Sequence, residues 1–178
     1  MFSRRLFTVL FMVLVAAASR LLPHPPNFTP ILAVSLFAGA YIVPRKWAFL
    51  VPVVAMFLSD LVIGLHELLP LVYLCMMLSV FLGSHLGQKP KLTSTFGLSV
   101  LSSVFFFFVT NLAVWLTSGM YSLDWIGFIS CFTLALPFFQ NSIVGDLFFT
   151  GVLFGSMYVI EKTWLGQSEA VYVRANKG

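Results

Sequence analysis

The chain has 178 residues, of which 60% are hydrophobic and only 9% charged. Soluble domains carry about 25% charged residues, so this composition excludes an ordinary soluble domain and points to an integral membrane protein. The net charge of +4 does not indicate nucleic acid, because the basic residues sit at the ends of apolar runs, as membrane topology and anionic lipid require.

Twenty phenylalanines and several apolar runs near 20 residues predict transmembrane helices, and the short alternating segments of an outer-membrane barrel are absent. The first run, 4–21, starts at Arg4-Arg5. Its Ala16-Ala17-Ala18 has the small-residue pattern of a signal-peptidase site. Leu21 and Leu22 continue the apolar face past Arg20, which favours a retained first helix; both readings place the following loop outside. That loop, Arg20–Pro30, holds four prolines, which cannot form a helix interior. Irregular backbone beside a bilayer is tolerated where protein buries it or where it lines a polar cavity. Arg20, His24 and Asn27 on this stiff segment therefore read as the wall or lid of a site.

Further crossings are predicted at 28–43, 47–65, 69–86 and 96–117, separated by basic or turn-forming stretches. His66-Glu67 and Pro70 mark an outer turn, and the loop around Lys89 and Lys91 an inner one. The segment 125–136 is only 12 residues and is followed by Pro137, which predicts a short half-helix on the outer side. Gln140-Asn141 then precede a last crossing at 142–160. A full crossing at 125–136 would put the basic tail (Lys162, Arg174, Lys177) outside, against the positive-inside rule. The expectation is a single transmembrane domain, 1–178, with six helices plus the half-helix, and both termini cytoplasmic in a bacterial inner membrane.

Three polar residues interrupt the apolar runs near their outer ends: Asp60, Asn111 and Asp146. Five or six helical residues place each about 8–9 Å below the outer surface. An acid inside a transmembrane helix costs about 2.5–3.5 kcal/mol on insertion scales, so it faces an interior or a cavity. Trp115 shares a helix face with Asn111 at i, i+4. The expected substrate-binding set is Arg20, His24, Asn27, Asp60, Asn111, Trp115 and Asp146, with His66, Gln140 and Asn141 as secondary candidates. Arg20 has a plainer reading as the ion-pair partner of Asp60 or Asp146. Small residues at four-residue spacing, Ser79, Gly83 and Gly87 and also Gly151 and Gly155, predict helix contacts. Cys75 and Cys131 lie in apolar runs and form no disulfide or zinc pattern. No catalytic motif, cofactor site or Walker loop is present, so no enzyme activity, metal or cofactor is expected.

The stretches Arg20-Leu-Leu-Pro-His-Pro-Pro-Asn-Phe-Thr-Pro, Ser59-Asp60 with Gly64-Leu-His66, Thr110-Asn111-Leu-Ala-Val-Trp115, and Leu136-Pro-Phe-Phe-Gln-Asn141 with Gly145-Asp146-Leu-Phe-Phe-Thr150 resemble an uncharacterised bacterial family of transport proteins. That family in turn resembles the substrate-binding (S) components of energy-coupling-factor transporters. The resemblance spans nearly the whole chain. It implies a six-helix protein that holds a vitamin-like solute near its outer face and works with a transmembrane coupling subunit and ATPases. One feature departs from the pattern: S components present an Ala-xxx-Ala face on their first helix, whereas Ala16, Ala17 and Ala18 are consecutive. Two other readings stand beside transport. One is a non-catalytic assembly or scaffold protein using its glycine faces. The other is an intramembrane enzyme on a lipid-linked substrate, with Asp60, His24 and Asp146 as its polar groups.

Overall fold

The computed structural model describes residues 4–87 and 90–165, so Lys89 and the tail with Arg174 and Lys177 lie outside the described residues. Among the described residues six α-helices follow one another without a strand. They are α1 (Arg4–Ala18), α2 (Ile31–Tyr41), α3 (Arg45–Ile63), α4 (Leu69–Ser84), α5 (Leu92–Thr117) and α6 (Trp125–Ile160). A 3-10 turn, Ser19–Leu21, extends α1, and a π-type turn, Glu161–Leu165, extends α6.

Helix α2 is the axis of the packing. All eleven of its residues are buried, and α1, α3, α4 and α6 surround it. Glycines set the closest approach. A Cβ on Gly39 would overlap the backbone carbonyl of Val80, and one on Gly83 would overlap that of Leu36, so α2 and α4 meet backbone to backbone. The helix is only about 16 Å long at ~1.5 Å per residue, well short of the 28–43 crossing expected. Phe28 and Thr29 belong to the loop, and Ile42 is already extended.

Helix α5 is polar inside and apolar outside. Its buried residues are Thr95, Ser99, Ser102 and Ser103, while Leu101, Val104 and Phe108 are exposed. A water-soluble helix has the opposite arrangement. Ser99 bonds Thr150 and Ser103 bonds Asp146, so hydroxyls join α5 to α6. Helices α3, α5 and α6 are each long and apolar enough to cross a membrane, and α2 and α4 are shorter apolar helices. Together these features fit a membrane all-α protein, with three full-length candidate spans rather than six.

The half-helix at 125–136 and the crossing at 142–160 are one helix. Pro137 lies inside α6, which runs 36 residues, about 54 Å, without a break. An interior proline forfeits one hydrogen bond and costs about 3 kcal/mol. Ending the helix there would strand up to four carbonyls and four N–H groups in apolar surroundings, which costs more. The other end of α6 meets α1, where Arg5 Nη2 lies 2.6 Å from Glu161 Oε1, so the described ends of the chain share one face.

The start of α6 is capped. Asp124 Oδ1 accepts the Gly127 N–H at 2.7 Å and the Ser122 hydroxyl at 2.8 Å. The Gly127 bond first, then the Ser122 bond, hold the Asp124 carboxyl below its usual range. A depressed folded-state pKa adds stability that is complete above the unfolded-state value and fades as pH falls through the folded one. On acidification through that window, wild type should lose a small increment of thermal stability that Asp124→Asn, still a capping residue, does not lose. Parallel melting curves with pH for the two proteins would remove this assignment.

Candidate functional site

The Pro-rich loop is exposed over residues 21–27 and is tied to the helices at its second end, residues 26–30. Phe28 N–H bonds the Pro25 carbonyl at 3.0 Å, and Asn27 takes the left-handed conformation (φ 63°) that asparagine tolerates well. Asn141 Nδ2 donates to the Pro26 carbonyl at 3.0 Å. A Cβ on Gly145 would come within 3.1 Å of Phe28 Cα, so glycine lets α6 approach the loop backbone. The Phe28 ring packs on Phe148 and Phe149, with centroids 5.8 and 5.7 Å away. Pro30 then starts α2.

Beneath this loop is a cavity of about 320 Å³ bounded by the loop and by α2 to α6. Its walls are apolar and aromatic, with Phe106 and Phe107 from α5 and Phe138 and Phe139 from α6. Arg20, Asn27, Asp60, Asn111 and Asp146 all reach it, so five of the seven primary residues are brought together. His66 lines it as well.

The other residues sit elsewhere. His24 is exposed, its Nδ1 lies 3.2 Å from the Pro25 carbonyl, and it does not line the cavity. Trp115 turns away from Asn111: its Nε1 donates to the Ser122 carbonyl at 3.0 Å and its ring meets Phe128 edge-on. The α5–α6 connection offers an acceptor that helical spacing alone cannot reveal. Asn141 holds the loop instead of lining the cavity, and Gln140 is exposed outside the lining.

Of the two acids open to it, Arg20 takes Asp60. Its Nη1 lies 2.7 Å from Asp60 Oδ1 and donates to Ser59 Oγ at 2.6 Å. Tyr73 Oη donates to Asp60 Oδ2 at 2.7 Å. Asp60 is 2% exposed, so both of its oxygens are compensated within a desolvated setting. Arg20 Nε is buried without an acceptor, a cost of about 1–3 kcal/mol that the ion pair must outweigh. Among the described residues Asp146, 3% exposed, accepts only the Ser103 hydroxyl, at 2.7 Å.

Tyr73, Ser59, Ser103 and the four cavity phenylalanines escaped the sequence reading. Tyrosine and serine cost little in an apolar run and give no hydropathy signal, and the phenylalanines are lost among twenty. Among the described residues no group of three His, Cys, Asp or Glu side chains could hold a metal ion.

Fold and cavity fit an all-α membrane protein with a partly open site of ligand size. Within that class the chain belongs to DUF6580, a family of unknown function, whose match covers residues 1–170. No curated protein matches the chain, and no solved structure does.

Proposed function

We propose that the protein is the substrate-binding component of a membrane transport system and holds a small vitamin-like solute in the cavity under the Pro-rich loop. The observation that carries this reading is the cavity itself. Its 320 Å³ falls in the range of small-molecule sites, and a few polar groups converge on aromatic walls. The prolines and the Asn141 tether limit the conformations of the lid, which lowers the ordering cost of binding. In this reading the protein sits in a bacterial inner membrane with the loop outside and both termini cytoplasmic. The Arg5–Glu161 pair supports a shared face for the chain ends, and the basic residues at that end favour the cytoplasmic side. Six crossings then require α2 to be completed by its flanking residues inside the protein, where irregular backbone is shielded from lipid. The resemblance to S components supports a coupling subunit and ATPases as partners.

The test is mass spectrometry of small molecules retained through purification in mild detergent, followed by thermal shift with the molecule found. Asn111→Leu, which fills the cavity, should weaken binding about tenfold or more, as loss of a polar contact plus a steric block predicts. Lys91→Ala, remote and exposed, should leave it unchanged. A chain that retains nothing and is stabilised by no member of a vitamin and nucleobase panel would overturn the reading.

The assembly-protein alternative has one observation in its favour. Among the described residues no atom lies within 4 Å of a Cβ added to Gly155, and Gly151 meets only Phe96 Cζ of α5, at 3.7 Å, so the α6 glycine pair makes little close contact within the described chain. The same open face also suits a coupling subunit, so by itself it does not favour assembly over transport.

A further inference from the structure

We propose that the solute is an organic cation and that Asp146 is its counter-charge. This rests on the cavity being the solute site. Two independent features of the walls lead there.

The first is the balance of charge. Asp60 is neutralised by Arg20 and bonded by Tyr73, which leaves neither oxygen unmet. Asp146 lies equally deep but receives one hydroxyl, Ser103 Oγ on Oδ2. Among the described residues no basic side chain bonds it, and Oδ1 accepts no hydrogen bond. The cavity walls thus carry one carboxylate with no internal cation. A buried carboxylate in that state is costly, and a cationic ligand offsets the cost.

The second is the direction of the hydrogen bonds. Each polar group on the α5 and α6 walls turns its donor back into its own helix. Thr110 Oγ1 donates to the Phe106 carbonyl at 2.8 Å, and Asn111 Nδ2 to that of Phe107 at 2.8 Å. Ser142 Oγ donates to the Phe138 carbonyl at 3.1 Å. What these groups have left is mainly acceptors: Asn111 Oδ1, the hydroxyl lone pairs and Asp146 Oδ1, against one remaining N–H on Asn111 Nδ2. A wall with more acceptors than donors suits a ligand that donates. The four lining phenylalanines offer a positive group a third attraction where it meets a ring face. They also argue for an organic cation over a metal ion, which needs several oxygen or nitrogen ligands.

The experiment uses three probes of one shape: benzamidine (a cation), benzamide (neutral) and benzoate (an anion), titrated at neutral pH into the purified full chain. Benzamidine should bind about tenfold or more tighter than benzamide, the difference one charge-assisted hydrogen bond makes, and benzoate weakest. Asp146→Asn should bring benzamidine down to the level of benzamide, while the order on wild type needs no variant to fold. Equal binding of benzamidine and benzamide, or a preference for benzoate, would overturn the cationic assignment and leave a solute site in place. Failure of all three to bind at millimolar concentration would overturn the solute site with it.

Discussion

Gly39→Leu is expected to prevent the chain from reaching its folded state in membranes or detergent. Every residue of α2 is buried, and Gly39 faces the Val80 carbonyl so closely that even a methyl group would overlap it. The obstacle is backbone, which cannot rotate aside as a side chain does. Overpacking in a core costs about 1–3 kcal/mol where side chains can yield, and more where they cannot. Gly83→Leu should do the same, because its Cβ would overlap the Leu36 carbonyl from the other helix. Gly97→Leu is the control: among the described residues nothing lies within 4 Å of an added Cβ, and the melting temperature should hardly move. Size-exclusion profiles and thermal unfolding of the three variants decide the matter. A monodisperse Gly39→Leu protein melting like wild type would mean that α2 and α4 do not pack as described.

The glycines show how far the sequence could be read. Four-residue spacing singled out Ser79, Gly83 and Gly87, and the first two do face inward from α4. Gly87 instead follows the helix in a left-handed conformation (φ 65°), a role that spacing cannot distinguish from packing. Gly39 escaped notice because its close approach is matched by that of Gly83, 44 residues further on in another helix. Hydropathy placed α1, α3 and α4 to within about three residues of their ends, and it began α5 at 96, four residues after the helix starts at Leu92. It misplaced the break near Pro137, since a transfer scale counts side chains and ignores the backbone bonds a break would strand.

Much of the candidate site was legible for the same reason. Asp60, Asn111 and Asp146 are expensive in lipid, so their presence implied an interior or a cavity, and all three line one. What each does there depends on partners that carry no signal of their own. Tyr73 and Ser59 make Asp60 and Arg20 into a closed unit, whereas Ser103 alone leaves Asp146 available. Equal burial thus gives the two acids different chemistry.

The closed unit leads to the second large effect. Asp60→Ala should destabilise the folded protein by about 3–5 kcal/mol, because it leaves the Arg20 guanidinium desolvated and unpaired. Arg20→Met should cost a similar amount by leaving Asp60, among the described residues, with only the Tyr73 hydroxyl as a side-chain partner. Removing both charges together, in Asp60→Leu with Arg20→Met, should cost far less than the sum, since buried ion pairs are often replaced by apolar groups without loss. Tyr73→Phe should fall between, at about 1.5–3 kcal/mol for a bond to a charged group. The coupling is read from thermal or denaturant unfolding in one detergent, as a double-mutant cycle. Additive losses would mean that the two charges do not meet in the folded protein. A strongly coupled pair makes Arg20 the strut that fixes the Pro-rich loop to α3 and α4. Ligand contact at this end of the cavity then falls to the groups the strut leaves uncommitted, Asn111 and Asp146.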